Sequence, residues 1–307
     1  MKKVPLRHPL WWLLIALYLA ACGSTATPEA TVTLPPVVEA APTESEAAPE
    51  EAAPTQADVA YAMVNGEAIL QSAFDANLAR YQAAQAEAGT LLATENVEQV
   101  VLDDMVRRLL LAQSARENGF TADDALLDER IANTIASIGG QEAFGAWLVA
   151  NSFTPDLFRQ ELAIEIEAAW MRDQIVNSVP QTAEQVLARE VLSFTEFEAQ
   201  RLLSQLDSGV EFDTIVTNND PQGLGYLGWF PRGYLLQVEL EEAVFALEPG
   251  QHSNVIASEI GFHIVQVLEK DPDRQLTQDA RLTLQRQALA DWLEQRIAQS
   301  QFENYTP

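Results

Sequence analysis

The sequence predicts an α+β protein: a helical domain comes first, a smaller module of mixed helices and strands follows, and one long helix closes the chain. Residues 72–177 contain five stretches in which apolar side chains recur every three or four positions, the period of one helix face. After Val179-Pro180 the chain changes to short β-type runs separated by glycines. Residues 277–300 return to the helical period.

Composition restricts the class of protein before any element is considered. The 307 residues include 45 Asp and Glu against 18 Lys and Arg, a formal net charge of -27. Such a surface repels phosphates, so a nucleic-acid binder is disfavoured. Hydrophobic residues make up 48% of the chain and charged residues 21%, proportions that suit one to three globular domains.

Residues 1–21 have the pattern of a secretory signal peptide. Basic residues precede the apolar run 11–19, which is about half the ~20 residues that a membrane-spanning helix needs. Leu-Ala-Ala-Cys at 19–22 resembles the lipobox of bacterial lipoproteins. This resemblance implies that Cys22 becomes the lipidated first residue and anchors an extracytoplasmic protein to the bacterial cell membrane. An ordinary cleaved signal with an incidental Cys22 is the alternative.

Residues 22–58 predict a disordered acidic tether. The stretch after Cys22 contains six prolines, seven acidic residues and no basic residue. It cannot bury enough apolar surface to offset the entropy of ordering, and its like charges and prolines keep it extended. As a flexible coil it would reach about 35 Å, so it suits a stalk that holds a folded body away from a membrane.

The predicted helical domain, residues 59–179, begins with a hairpin. Asn65-Gly66 lies between two short apolar runs, which is a strong hairpin signal. Ser72 is a candidate cap for the helix that follows. Further helices are predicted at 97–118, 122–138, 141–150 and 155–177.

The predicted second domain, residues 180–272, alternates strands with helices. We expect strands at 186–194 and 261–268 and helices at 196–206, 212–216 and 240–247. The remaining segment, 273–307, contains the closing helix, and an amphipathic helix of that length needs a partner surface. The helical domain offers one to its apolar residues Leu282, Leu289, Trp292, Leu293 and Ile297.

Residue counts exclude several site chemistries. His8 leaves with the signal peptide, so the mature chain keeps His252 and His263, too few for a His/Cys zinc site, and the sequence has no Asp-x-Asp-x-Asp-Gly calcium loop. We therefore expect no metal and no cofactor. The glycines at 223–228 fit G-x-G-x-x-G, but they precede a β-type run instead of opening a helix, which argues against a nucleotide loop. No Ser-His-Asp or Cys-His set for peptide-bond cleavage can be assembled.

Six pieces of the second domain occur in an order and spacing that are typical of one family. They are Ala-Arg-Glu-Val-Leu at 188–192, Gly-Val-Glu-Phe at 209–212, Asn-Asp-Pro at 219–221, Leu-Gly-Trp-Phe-Pro-Arg-Gly at 227–233, Leu-Glu-Glu-Ala-Val-Phe-Ala-Leu-Glu-Pro-Gly at 240–250 and Gly-Phe-His-Ile-Val at 261–265. The segment resembles the parvulin, or PpiC-type, family of peptidyl-prolyl isomerases. Val-Asn-Gly-Glu-Ala-Ile at 64–69 with Phe74 is similar to the opening of the SurA and PrsA class of secreted chaperones.

The resemblance implies a SurA-N-like helical chaperone domain, completed by the C-terminal helix, and a parvulin-type α/β domain. It also implies a lipid-anchored foldase that accelerates cis-trans isomerisation of prolyl bonds in exported proteins. Asp220 would stand beside the substrate carbonyl, and Ser258 and His263 would belong to the family's polar network. The pocket for the proline ring would be formed by Leu227, Leu235, Leu240 and, behind them, Phe245.

The sequence departs from the family pattern at some of these positions. Active parvulins usually pair two histidines across the sheet, whereas here Glu190 stands in the first position, where it is expected to hydrogen-bond His263. Leu240 replaces an aromatic residue of the pocket, and one extra residue before it leaves either Leu235 or Leu236 as the pocket residue. The predicted catalytic set is Asp220, His263, Ser258 and Glu190.

These residues also have a purely structural interpretation. Asp220 in a glycine-rich loop is typical of a turn, and a histidine in an apolar strand is typically buried and hydrogen-bonded. Two functional classes therefore remain: the isomerase, or a non-catalytic holdase chaperone whose degenerate parvulin domain binds unfolded or proline-containing peptides. A purely structural lipoprotein is least favoured, because it leaves the glycine-rich core unexplained. The expected partners are unfolded or proline-containing exported polypeptides and, through Cys22, the membrane.

Overall fold

The computed structural model describes residues 59–87, 96–220, 222–223 and 225–305. The predicted signal peptide, the lipidation site Cys22 and the tether lie outside these residues. None of the helices in the described ranges combines the length and the apolar content that crossing a bilayer requires.

The N-terminal hairpin forms where the sequence predicts it. Strands β1 (Ala60–Val64) and β2 (Glu67–Leu70) pair antiparallel. Asn65 and Gly66 between them have φ angles of 52° and 81°, the left-handed conformation that a tight two-residue hairpin turn requires at both positions.

Five helices follow the hairpin, and they match the predicted ones within a few residues. They are α1 (Gln71–Glu87), α2 (Val97–Glu117), α3 (Asp124–Ile138), α4 (Gln141–Ala150) and α5 (Pro155–Asn177). The side chains of Asp123 and Thr154 cap α3 and α5: each accepts one hydrogen bond from the backbone N–H of the residue three positions later, Leu126 and Leu157 respectively. The prediction of Ser72 as a cap is wrong: β2 runs directly into α1 at Gln71, so Ser72 already lies in the first helical turn.

The hairpin and three of these helices enclose one apolar core. Its fully buried members include Val64 on β1, Phe74 on α1, Leu110 on α2 and Leu157 on α5. Phe74 stacks on Tyr61 with ring centroids 3.9 Å apart. A second apolar cluster lies between α2 and α5 and includes Ala112 and Ile175. The C-terminal helix packs against it.

The second part of the chain is built on a four-stranded antiparallel sheet. Its elements are β3 (Thr182–Ser193), α6 (Glu196–Asp207), α7 (Phe212–Asn219), β4 (Tyr226–Pro231), α8 (Val238–Ala246), β5 (Ile256–Ser258) and β6 (Gly261–Gln275), and the strand order is β4-β3-β6-β5. The strands β3 and β6 are longer than predicted, because they continue to pair as far as Thr182 and Gln275. Strand β6 therefore crosses the predicted boundary between residues 272 and 273.

The sheet separates two apolar clusters. Val186 and Ala188 on β3, with Val265 on β6, pack under α8. Val191 and Ile264, which have the opposite parity along the same strands, pack against α6 and α7. Glu190 shares the parity of Ala188, and His263 that of Val265, so both polar side chains belong to the α8 face of the sheet.

The chain ends by returning to its beginning. Helix α9 (Gln278–Gln299) packs Leu289, Trp292 and Leu293 against the cluster between α2 and α5, as predicted. Strand β7 (Phe302–Glu303) then pairs with β1. Leu282, predicted to lie on the same apolar stripe, is 42% exposed and does not join this cluster.

Candidate functional site

His263 lies at the centre of a polar array on the sheet. Its side chain is 1% exposed. Nδ1 is 2.6 Å from Oε2 of Glu190 on β3, and Nε2 is 2.7 Å from Oγ of Ser258 on β5. Leu192 is the residue directly opposite His263, so Glu190 reaches the ring as its diagonal neighbour across the ladder. The hydrogen bond between Glu190 and His263 that the sequence predicts is therefore present.

Each nitrogen of the ring has a side-chain partner. A carboxylate oxygen can only accept a hydrogen bond, so Nδ1 is the donor toward Glu190. Oγ of Ser258 accepts from the backbone N–H of Ile260 at 3.2 Å and lies 3.3 Å from the backbone carbonyl oxygen of Gly261, so β5 and the turn after it hold this hydroxyl beside Nε2. Both ring nitrogens are thus held, and the orientation of the imidazole is fixed.

Asp220 lies just beyond the end of α7 and organises the glycine-rich loop. Its Oδ1 accepts the backbone N–H of Gly223 at 2.9 Å, and its Oδ2 accepts that of Gly225 at 3.1 Å. These backbone donors lower the pKa of the exposed Asp220 carboxyl below its ordinary value of 3.8, because they bind the ionised form.

Gly225 connects this loop to the array around His263. Its carbonyl oxygen accepts the backbone N–H of Glu190 at 2.8 Å, so hydrogen bonds run from Asp220 through Gly225 to the strand that carries Glu190. A side chain at position 225 would collide with the carbonyl oxygen of Glu190, and φ is +63° there. Only glycine satisfies both conditions.

The four predicted pocket residues come together in one apolar cluster. Leu240 and Phe245 on α8 are buried, and Leu227 and Leu235 are partly buried and pack against them. Leu236, the alternative to Leu235, is 92% exposed, so Leu235 is the residue that joins the cluster. Ile256, which belongs to the cluster, is the residue opposite His263 on β5, and this places the apolar cluster beside the polar array on one face of the sheet.

Glu241 is a residue of this site that the sequence did not single out. Its carboxylate accepts the backbone N–H groups of Gly233 at 2.7 Å, Tyr234 at 3.0 Å and Leu235 at 3.1 Å. The only signal was an acidic residue in the first turn of a predicted helix, which usually indicates interaction with that helix's own N-terminus. Among the described residues, no three His, Cys, Asp or Glu side chains gather as metal ligands would.

Comparison with known families divides the chain in two. Residues 50–172 match the SurA-like N-terminal domain family, and residues 182–269 match the PPIC-type peptidyl-prolyl isomerase domain family. The chain combines a SurA-like N-terminal domain with a PpiC-type parvulin domain. The parvulin domain contains the array around His263, Asp220 and the apolar cluster under α8.

The curated relatives are named as foldases or as chaperones. The foldase protein PrsA of Geobacillus sp. (strain WCH70) is 26% identical over 184 residues, which cover 56% of this chain and 63% of that protein. The chaperone SurA of Thiobacillus denitrificans is 32% identical over 137 residues, 42% of this chain and 30% of that protein. The chain thus matches less than two thirds of the length of either relative.

Solved structures of the same class are also similar to this chain. A 1.70 Å crystal structure of the peptidylprolyl isomerase PrsA from Bacillus anthracis is 18% identical and covers 64% of this chain and 96% of that one, with a TM-score of 0.41. The solution structure of the parvulin domain of PpiD from E. coli is 26% identical and covers 30% of this chain, with a TM-score of 0.27.

Proposed function

We propose that this protein is a foldase that accelerates the cis-trans isomerisation of prolyl bonds in unfolded exported polypeptides. The observation that carries the proposal is the position of the Glu190–His263–Ser258 array beside the apolar cluster of Leu235 and Leu240 on one face of the sheet. An isomerase needs this combination: an apolar wall for the proline ring and oriented polar groups for the twisted amide.

The reaction needs no covalent chemistry from the protein. Rotation about an X-Pro bond crosses about 20 kcal/mol because amide resonance must be broken. A pocket that holds the proline ring while the preceding carbonyl rotates favours the twisted state over either planar one. Leu227, Leu235 and Leu240 would hold the ring, with Phe245 supporting Leu240 from behind.

Asp220 would act on the rotating carbonyl. Its carboxylate is already bound to two backbone N–H groups, so it stays ionised and in one orientation. A fixed negative charge beside the substrate carbonyl disfavours the planar amide, in which that oxygen carries partial negative charge, more than the twisted amide, in which it carries less. The Glu190–His263–Ser258 array would keep the strands that border Asp220 and the pocket in register.

The same proposal assigns the remaining parts of the chain. Residues 59–179 with the closing segment 273–307 would bind unfolded clients, and residues 180–272 would isomerise them. The protein would work outside the cytoplasm, tethered through a lipid on Cys22 and the acidic segment 22–58. Support comes from the signal-like pattern of residues 1–21 and from relatives named foldase and chaperone.

A second candidate function is a holdase whose parvulin domain binds peptide without catalysis. It is favoured by the replacement of an imidazole by Glu190 and by exposed apolar side chains near the end of β3 and at the start of α6. Phe194 and Phe197 are each 82% exposed, and Leu192, the residue directly opposite His263, is also exposed. Exposed aromatic residues of this kind bind extended apolar segments.

Cis-trans exchange of a short proline peptide, followed by NMR with the purified protein, separates the two functions. We expect the wild type to accelerate exchange and Asp220→Asn to lose roughly tenfold, equivalent to about 1.4 kcal/mol of barrier. Asp207→Asn, a change of the same kind at an exposed position at the end of α6, should leave the rate unchanged. If the wild type does not accelerate cis-trans exchange and the Glu190→His variant does, the holdase function is established.

A further inference from the structure

The segment 233–235, which carries the pocket residue Leu235, is bound tightly by α8. Glu241 uses Oε1 for the backbone N–H of Gly233 and Oε2 for those of Tyr234 and Leu235, at distances between 2.7 and 3.1 Å. Bonds from neutral N–H groups to an ionised carboxylate are stronger than bonds between neutral groups. One side chain thus fixes three successive peptide units.

The same segment is bound a second time by α9. Oη of Tyr234 donates a hydrogen bond of 2.7 Å to Oδ2 of Asp279 in the first turn of that helix. A Cβ atom at Gly233 would lie 2.6 Å from Oε1 of Gln287 and 3.1 Å from Cδ2 of Leu284, so α9 packs directly on the backbone there. Two successive stretches of α9 therefore contact the segment that holds Leu235.

Other residues of α9 contact the helical part. Leu289, Trp292 and Leu293 pack against the cluster between α2 and α5, and Gln285 Nε2 donates to the backbone carbonyl of Val176 at 3.0 Å. One continuous helix thus contacts both the helical domain and the segment that holds Leu235.

We propose that Glu241, Tyr234 and Asp279 are positioning residues of the proline pocket, which hold segment 233–235 between α8 and α9 and thereby keep Leu235 against Leu240. The inference rests on the proposed function, because it names the groups that shape the pocket for a prolyl client. None of the three is assigned contact with the client. Their effect on binding passes through the backbone of the segment.

The first test compares Glu241→Gln with Glu242→Gln, an exposed neighbour on the same helix. The amide replaces one accepting oxygen with a donor, so at least one of the three N–H groups loses its partner. We expect the peptide Ala-Leu-Pro-Phe to bind the full-length Glu241→Gln variant about fivefold more weakly by NMR titration, the equivalent of one lost hydrogen bond. The amides of Gly233, Tyr234 and Leu235 should exchange faster with solvent, and the Glu242→Gln variant should match the wild type in both measurements.

The second test addresses α9. Tyr234→Phe removes only the hydroxyl that binds Asp279, and Tyr226→Phe is the control at an exposed tyrosine. We expect Tyr234→Phe to weaken peptide binding about twofold to fivefold, whereas Tyr226→Phe should bind as the wild type does.

The outcomes separate this inference from the function on which it rests. If the Glu241→Gln variant matches the wild type in amide exchange and in peptide affinity, the inference is overturned. The isomerase proposal would still stand, provided that the wild type accelerates exchange of the prolyl bond. A wild type that binds the peptide without accelerating its exchange would overturn the isomerase proposal. The peptide affinities of the variants would then still decide whether Glu241, Tyr234 and Asp279 shape the pocket. A wild type that neither binds nor accelerates would overturn both.

Discussion

The side chain that meets His263 across the sheet decides what the imidazole can do. A histidine partner can donate or accept a hydrogen bond, whereas a carboxylate oxygen only accepts, so Nδ1 of His263 is the donor toward Glu190. Because Glu190 is linked through Gly225 to the loop that contains Asp220, the two carboxylates belong to one hydrogen-bonded arrangement. The polar array therefore holds the imidazole of His263 in one orientation.

The lowered pKa of Asp220 predicts how the glycine-rich loop responds to acid. The backbone N–H groups of Gly223 and Gly225 stabilise the ionised carboxyl, so the folded-state pKa lies below the ordinary 3.8. Stability from these bonds is present above the unfolded-state pKa and is lost as the pH falls through the folded-state one. An NMR titration should show the amide signals of Gly223 and Gly225 moving together, with a midpoint below 3.8.

Asp220→Asn provides the control for this titration. The amide side chain does not ionise, so both glycine signals should stay flat over the range in which the wild type moves. A wild-type midpoint at or above 3.8 would mean that the two N–H groups do not hold the carboxylate in solution. The loop would then have no preorganised charge to offer a substrate carbonyl.

The sequence predicts which side chains of the site bind each other, but it does not predict which backbone groups they bind. The strand periodicity and the family spacing are enough to place Glu190 opposite the histidine strand, and the hydrogen bond to His263 follows. Glu241 was missed because its partners are N–H groups of a segment that folds back toward the helix, and no residue pattern records that path. The choice of Leu235 over Leu236 also needed the exposure of each side chain.

The long β3–β6 ladder shows why the ends of a strand are harder to predict from the sequence than the presence of the strand. Residues 269–275 are mostly polar and include Pro272, so the apolar signal stops at Leu268. The strand continues because tertiary contacts hold it: Gln185 Nε2 donates to the carbonyl of Arg274 at 2.8 Å, and the guanidinium of Arg274 lies 4.1 Å from the ring centroid of Trp229. Local sequence carries no sign of either contact.

Glu167 predicts a pH dependence for the packing of α2 and α5. Its side chain is buried, Oε1 accepts the backbone N–H of Ala122 at 3.1 Å, and Oε2 lies 3.4 Å from Nη1 of Arg116. Burial raises the pKa of Glu167 above its ordinary 4.5, so its contribution to stability is complete below the unfolded-state pKa and is lost as the pH rises through the folded-state one. We expect Glu167→Gln to gain stability relative to wild type as the pH rises above about 4.5.

Urea unfolding of the two proteins at acidic and neutral pH measures this difference. Glu167→Ala is the matched comparison, because it leaves the N–H of Ala122 without its acceptor and should cost about 1–3 kcal/mol at both pH values. A Glu167→Gln variant whose stability relative to wild type falls as the pH rises would show that the ion pair with Arg116 outweighs burial.

At the scale of the whole molecule, the C-terminal segment connects parts that are far apart in sequence. Residue Gln301 exchanges hydrogen bonds with Asn65 at the hairpin tip, and β7 adds a third strand to β1 and β2. The docking of α9 on the helical part could be predicted, since a long amphipathic helix needs a partner. The two-residue strand β7 could not be, because it is too short for any periodic signal.

Because α9 contacts both parts, we expect the described body to unfold as one unit and to lose that cooperativity when the helix is weakened on the helical side. Trp292 packs between α2 and α5, and Trp292→Ala should cost about 2 kcal/mol, less than for a fully buried tryptophan. Leu282→Ala, at an exposed position on the same helix, should cost below about 0.5 kcal/mol.

Urea unfolding followed by amide exchange measures the loss of cooperativity. In the Trp292→Ala variant, Val64 and Leu110 should lose protection before Val186 and Val267, whereas in the wild type all four should lose it together. Simultaneous loss in both proteins would mean that contacts other than α9 join the two parts.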